Sequence, residues 1–211
     1  MRISIIVPVF NEHITIGEAL ARVMAVDLDK QVIVVDDGST DGTFALLEEW
    51  SQGQPEWVTV RRHATNQGKG AAVRTGLGDV AGDCVIIQDG DLEYDPADYA
   101  RLLAPLVAGK AQVVYGSRFL GNNPKMFFTQ RIGNLALTTL TNLLYGVKLT
   151  DMETCYKLFA WDVLRNMTLT SDRFNVEPLS SRQRSCVKAS TSSRSPSSTP
   201  VAHTPKARKS S

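Results

Sequence analysis

Three short stretches of this sequence place polar residues at spacings that could do chemistry. Asp89-Gly90-Asp91-Leu92-Glu93 gathers three carboxylates within five residues. In an extended chain residues i and i+2 project to one side, so Asp89 and Asp91, with Glu93 next in line, would share a face. Such a cluster repels itself unless something neutralises it. A hard divalent cation, Mg2+ or Mn2+, suits that role, because it prefers oxygen ligands and keeps positions open for phosphates. A solvated acidic turn is the competing explanation. Asp36-Asp37-Gly38-Ser39-Thr40-Asp41-Gly42 offers carboxylate acceptors and backbone N–H groups to a nucleotide base or ribose, although Asp and Gly also dominate ordinary turns. Asn66-Gln67-Gly68-Lys69-Gly70 puts a lysine at the start of a helix, a usable phosphate site. The spacing is not that of a Walker A loop, and no G-x-G-x-x-G follows the first apolar run, which sets a dinucleotide cofactor aside. His13 and His63 read as surface or loop residues, and no Ser/His/Asp arrangement stands out.

These stretches need elements to hold them, and the hydrophobic pattern supplies a series. Ile3–Val7 is a continuous apolar run suited to a buried parallel strand. His13–Ala25 spaces Ile16, Leu20, Val23 and Met24 on one helical face. Gln31–Val35 reads as a strand, then a helix capped by Thr40 or Asp41 runs to Trp50. Strand Trp57–Arg62, helix Lys69–Val80, strand Cys84–Ile87, helix Pro96–Val107 and strand Gln112–Tyr115 follow. The alternation predicts an α/β fold, a mostly parallel sheet with helices on both faces. Such sheets bind ligands at the carboxyl ends of their strands, where the acidic stretches lie. Residues 125–145 read as one or two amphipathic helices, followed by a strand near Cys155–Phe159 and a short helix from Trp161.

Composition fits one globular domain of 211 residues, with 43% hydrophobic and 21% charged residues. The net charge of +1 hides an asymmetry: all 22 acids, but only 16 of 23 basic residues, precede Ser180. An acidic body argues against nucleic-acid binding. Cys84, Cys155 and Cys186 are too scattered for a disulfide framework or a zinc site and read as reduced thiols. No signal peptide or spanning segment is expected, which places the chain in the cytoplasm or peripherally at the cytoplasmic membrane face. Met126, Phe127, Phe128, Leu135, Leu137, Leu140, Leu143 and Leu144 are apolar enough to dock at a membrane, or alternatively to cover the sheet.

The ordered set of motifs resembles family 2 glycosyltransferases of the GT-A fold. The resemblance rests on Val7-Pro8-Val9-Phe10-Asn11-Glu12, the run from Asp36, the run from Asn66, and Asp89 through Pro96. Gly116-Ser117-Arg118-Phe119, Arg131 with Asn134, Asp151 through Lys157, and Phe174 with Glu177-Pro178 narrow it to the polyprenol-phosphate (dolichol-phosphate) mannosyltransferases. The resemblance implies a nucleotide pocket lined by Pro8, Asn11 and Glu12. It implies base or ribose contacts from the Asp36-Asp37 pair, principally Asp37, and Lys69 near the nucleotide. It implies Asp89 and Asp91 on the metal and diphosphate, Glu93 at a third ligand position where the family varies, and Arg118 and Arg131 facing an acceptor phosphate. The implied reaction moves a hexose from GDP-mannose, UDP-glucose or another nucleotide sugar to a polyprenyl phosphate, with inversion and metal assistance. A noncatalytic nucleotide-sugar or metal-binding module, and a nucleotidyltransferase, remain as alternatives.

The resemblance ends at Glu177-Pro178, dividing the chain into a catalytic domain, 1–179, and a Ser/Arg/Pro-rich tail, 180–211. The tail carries seven basic residues, eleven serines and no acid. A one-base displacement of the reading frame near codon 179 lets Ser180–Val187 encode E-L-T-A-K-V-L-R, a stretch similar to the family's own continuation. The tail is therefore expected to be a frameshifted ending, disordered and without contact to the sheet. The product would then lack the family's closing strand, leaving the sites weakly active or inactive.

Overall fold

The computed structural model describes residues 1–117, 128–145, 150–151, 154, 156–166 and 187–192, the side chains of 128–132, 145 and 187–192 excepted. Seven strands form one sheet in the order β3-β2-β1-β4-β6-β5-β7. They are β1 (Ile3–Val9), β2 (Lys30–Asp36), β3 (Val58–Arg62), β4 (Cys84–Ile87), β5 (Val113–Ser117), β6 (Lys157–Ala160) and β7 (Val187–Ser192). Helices α1 (Ile16–Ala25), α2 (Thr43–Ser51), α3 (Lys69–Leu77), α4 (Tyr99–Val107), α5 (Phe128–Tyr145) and α6 (Trp161–Leu164) connect or flank them.

The strands read as unbroken apolar runs because both faces of the sheet are covered. Alternate residues of β1 divide between two cores. Ile3, Ile5, Val7 and Val9 join Ile16, Leu20 and Val23 of α1, Leu47 of α2 and Leu102 and Leu106 of α4. Ile6 joins Ile33, Val35, Val85, Ala72 of α3 and Leu164 of α6 on the other side. The period of 2 in the strands and the helical stripe of α1 are thus the same fact seen from two elements.

β1 pairs in parallel with β2 and β4, and β2 with β3. β6 runs antiparallel to both β4 and β5. The expected mostly parallel α/β sheet is the one observed. Two boundaries shift: α1 begins at Ile16 rather than His13, because Ile16 and Thr15 N–H groups both donate to the Glu12 carbonyl in a turn that precedes the helix.

Val187–Ser192 differs from the expectation that residues after Ser180 make no contact with the sheet. It pairs in parallel with β5, Val113 opposite Val187 and Ser117 opposite Ser192, with an irregularity between Tyr115 and Ser117. The physical reason is an edge. Without it β5 would present unpaired N–H and C=O groups, and a short segment containing Val and Thr is a suitable occupant.

A candidate active site at the carboxyl ends of the strands

The strand order reverses direction between β1 and β4, and the loops leaving their carboxyl ends part to form a crevice there. A cleft of about 320 Å³ occupies it, lined among others by Pro8, Glu12, Asp37, Lys69, Asp89 and Asp91. That volume falls at the lower end of small-molecule sites. Six of the residues anticipated from the sequence are therefore neighbours in space, drawn from four separate loops.

Asp37 organises the floor of the cleft. Its Oδ1 accepts the Gln67 N–H at 3.0 Å and lies 2.6 Å from His63 Nδ1, and its Oδ2 accepts the Gly68 N–H at 2.7 Å. His63 Nε2 lies 2.8 Å from Thr75 Oγ1. A neutral imidazole with its proton on Nδ1 satisfies both neighbours, donating to the carboxylate and accepting from the hydroxyl. The carboxylate thereby ties the end of β2 to the loop that presents Lys69. Gly38 makes the approach possible: at its φ of 76° a Cβ would sit 2.6 Å from the Thr65 carbonyl carbon.

Asn11 and Asp36 serve the same loops without lining the cleft. Asn11 has φ 56°, a left-handed conformation that Asn tolerates. Its N–H donates to Ser39 Oγ at 2.9 Å and its Oδ1 accepts the Thr40 N–H at 2.9 Å. Asp36 is fully buried; its Oδ2 accepts the Ser39 N–H at 3.2 Å and lies 3.5 Å from Arg62 Nε, while Oδ1 has no hydrogen-bond partner. Glu12 lines the cleft, and its Oε2 accepts the Thr15 hydroxyl at 2.6 Å. Asp41 is held below the usual carboxylate range by the Thr43 hydroxyl first, which outweighs its desolvation, and then by N–H groups including those of Thr43 and His13.

The acidic turn after β4 carries Asp89 and Asp91 into the cleft. Lys69 Nζ lies 2.5 Å from Asp89 Oδ1. Asp91 Oδ1 accepts the Glu93 N–H at 3.0 Å across Leu92, whose φ of 62° is strained for a γ-branched residue. Two carboxylates facing one cleft fit a Mg2+ or Mn2+ ion, which is commonly held by one or two protein carboxylates with phosphates completing its shell. No group of three or more His, Cys, Asp or Glu gathers as a ready cage among the described residues. The donors thus suit a cation that arrives with a phosphate-bearing ligand.

Arg118 lies outside the described residues, and Arg131 is placed only as part of the backbone of α5. Asn134 of that helix donates to Asp151 Oδ1 at 2.8 Å and accepts the Thr138 hydroxyl at 2.9 Å, both partners buried. Sequence reading missed Gln88, Tyr99 and Tyr156, which lie beneath the acidic turn. A glutamine directly after the apolar run Cys84–Ile87 was the available signal, since a polar residue at that seat needs partners. It also passed over His63, which spacing alone could not join to Asp37.

Comparison with known proteins agrees with this geometry. The family described as "Glycosyl transferase family 2" matches residues 4–167. A UDP-N-acetylglucosamine–dolichyl-phosphate N-acetylglucosaminyltransferase of Methanococcus voltae is 29% identical over 181 residues, 77% of this chain and 71% of that protein. The polyprenol monophosphomannose synthase of Mycolicibacterium smegmatis is 31% identical over 175 residues, 81% of this chain and 66% of that protein. A mannosyltransferase of Pyrobaculum calidifontis, solved with GDP-mannose and Mn2+, superposes with a TM-score of 0.59 at 24% identity, covering 77% of this chain and 45% of that one. The chain spans about half of that structure. The sheet order, the crevice at its carboxyl ends and the matched span together make this chain a member of glycosyl transferase family 2, with the GT-A fold.

Proposed function

We propose that this chain transfers a hexose from a nucleotide-diphosphate sugar to a polyprenyl phosphate, with inversion at the anomeric carbon. The observation that carries the reading is the convergence of Pro8, Glu12, Asp37, Lys69, Asp89 and Asp91 on one cleft. Relatives that act on dolichyl or polyprenyl phosphate support the acceptor class. Mannose is the favoured sugar and glucose the next, with GDP-mannose and UDP-glucose as the corresponding donors.

Pro8 and Glu12 line the nucleotide end, with Asp37 toward the base or ribose and Asn11 and Asp36 holding its loops. Asp89 and Asp91 face the diphosphate and would hold Mg2+ or Mn2+, with Glu93 able to join from beyond Leu92. Lys69 adds a fixed positive charge at the start of α3, where the helix end favours anions. A bound divalent cation would neutralise charge developing on the departing nucleoside diphosphate. The acceptor is already an anion, since a phosphate monoester has a second pKa of about 6, so no strong general base is required. Arg118 and Arg131 are assigned to the acceptor phosphate, where bidentate guanidinium contacts offset repulsion between phosphates.

A membrane-borne acceptor calls for a surface that reaches it. No helix among the described residues is long and apolar enough to cross a membrane. Helix α5, however, is turned inside out relative to an ordinary amphipathic helix. Asn134, Thr138 and Thr141 are buried at spacings of four and three, whereas Leu135, Leu137, Leu140, Leu143 and Leu144 are exposed, Leu143 by 80%. That apolar face supports peripheral contact with a membrane surface.

The test is a donor panel of radiolabelled GDP-mannose and UDP-glucose with a polyprenyl phosphate. The reading predicts hexose in the lipid phase with Mn2+ and its loss with EDTA. Pyrophosphate release in place of lipid labelling would favour a nucleotidyltransferase.

A further inference from the structure

Beneath the acidic turn lies a closed polar network that the proposed chemistry does not touch. Gln88 is 2% exposed. Its Oε1 accepts the Tyr99 hydroxyl at 2.6 Å and the Tyr156 hydroxyl at 2.7 Å, and its Nε2 donates to the Asp89 carbonyl oxygen at 2.9 Å. The Gln88 N–H donates to the Ile6 carbonyl at 2.9 Å. The orientation of the amide is dictated by its partners: a carbonyl can only accept, so the NH2 must face Asp89 and the oxygen must face the hydroxyls. Burial pushes both tyrosines well above their ordinary pKa of 10.0, so each remains a neutral donor.

The network also spans distant parts of the chain. Tyr99 opens α4, and Tyr156 immediately precedes β6. Tyr94, within the acidic segment itself, packs its ring 4.6 Å from that of Tyr156. Tyr156 in turn meets the end of β5: its carbonyl accepts the Gly116 N–H at 2.8 Å, and a Cβ on Gly116 would lie only 2.9 Å from the Tyr156 Cβ. The acidic turn is therefore held from below by Gln88 and from beyond by the strained Leu92.

We infer that Gln88, Tyr99 and Tyr156 are positioning residues that aim the Asp89 carboxylate at a divalent cation and tie the acidic turn to the end of β5. The inference rests on the proposal that Asp89 and Asp91 bind that cation. Fixing the Asp89 carbonyl fixes the backbone from which its side chain departs, and partners behind metal ligands commonly govern affinity in this way.

The test removes the network as a unit. Gln88→Met/Tyr99→Phe/Tyr156→Phe keeps apolar volume and leaves no buried side-chain donor facing an absent acceptor, so the fold should persist. Binding is read by electron paramagnetic resonance of Mn2+, alone and with GDP, beside thermal unfolding. The expected result is a Tm near that of the parent with Mn2+ affinity weakened about 10-fold or more, and an intermediate affinity for Tyr99→Phe alone, which keeps the Asp89 contact. Unchanged Mn2+ affinity in the folded triple variant overturns the inference. Should the triple variant fail to fold, the single variants Tyr99→Phe and Tyr156→Phe decide, and parental affinity in both overturns it. Failure of the parent itself to bind Mn2+, with or without GDP, removes the site reading and this inference with it.

Discussion

Asp37 shows how a residue can serve a site by holding other residues in place. Two backbone N–H groups and an imidazole converge on its carboxylate, joining the end of β2 to the loop that opens α3. An amide there would keep one accepting oxygen and turn its NH2 group toward a donor. Asp37→Asn should therefore lower unfolding free energy by about 1–3 kcal/mol, read from urea denaturation. Stability equal to that of the parent would show that the three contacts are replaceable by water. The contrast with Asp36 is instructive, because the two adjacent acids look alike in sequence. Alternation along β2 buries Asp36 completely and leaves Asp37 on the cleft. The position of the pair was legible from the sequence, but the division of labour between its members was not, since it depends on where Arg62, His63 and Gln67 arrive from other elements.

At the scale of elements, the strands and helices of the first 117 residues follow from hydrophobic period alone, because each face they bury is continuous. β6 was legible as a strand but not as an antiparallel one, since direction is set by its pairing with β4 and β5 rather than by its own residues. Two elements lend themselves to measurement. β3 and the end of α3 are joined by Arg61 Nε on Asp79 Oδ2 at 2.7 Å, and this guanidinium holds Asp79 below its ordinary pKa of 3.8. Asp41 is depressed likewise by hydrogen bonds led by the Thr43 hydroxyl. For carboxylates lowered on folding, the stabilisation is present above the unfolded pKa and fades as pH falls through the folded one. The Tm should thus decline on acidification below about pH 4, and Asp79→Asn should decline less steeply. Equal slopes for parent and variant would remove Asp79 from the account. On α5, the exposed leucines predict that the parent floats with anionic liposomes and that Leu140→Ser/Leu143→Ser/Leu144→Ser does not. Equal flotation, or none for either, dismisses membrane contact by this face.

At the scale of the whole molecule, the family match and the sheet agree over the first 167 residues, while β7 shows that part of the following sequence completes an edge. The expectation of a displaced reading frame is checked by resequencing the locus: a single-base change near codon 179 should restore E-L-T-A-K-V-L-R and the stretches after it. Absence of any such change dismisses that explanation of the Ser/Arg/Pro-rich composition. The central claim is narrower and does not depend on it. It is that one cleft at the carboxyl ends of β1 and β4 holds a nucleoside diphosphate through a divalent cation on Asp89 and Asp91. Calorimetric titration of GDP and UDP into the parent, Asp89→Ala and Asp91→Ala, each with Mn2+ and with EDTA, tests it most directly. The account predicts Mn2+-dependent binding of at least one nucleotide by the parent and loss of that dependence in both variants while their thermal unfolding stays cooperative. Binding by folded Asp89→Ala and Asp91→Ala with the parent's affinity and Mn2+ dependence would contradict it.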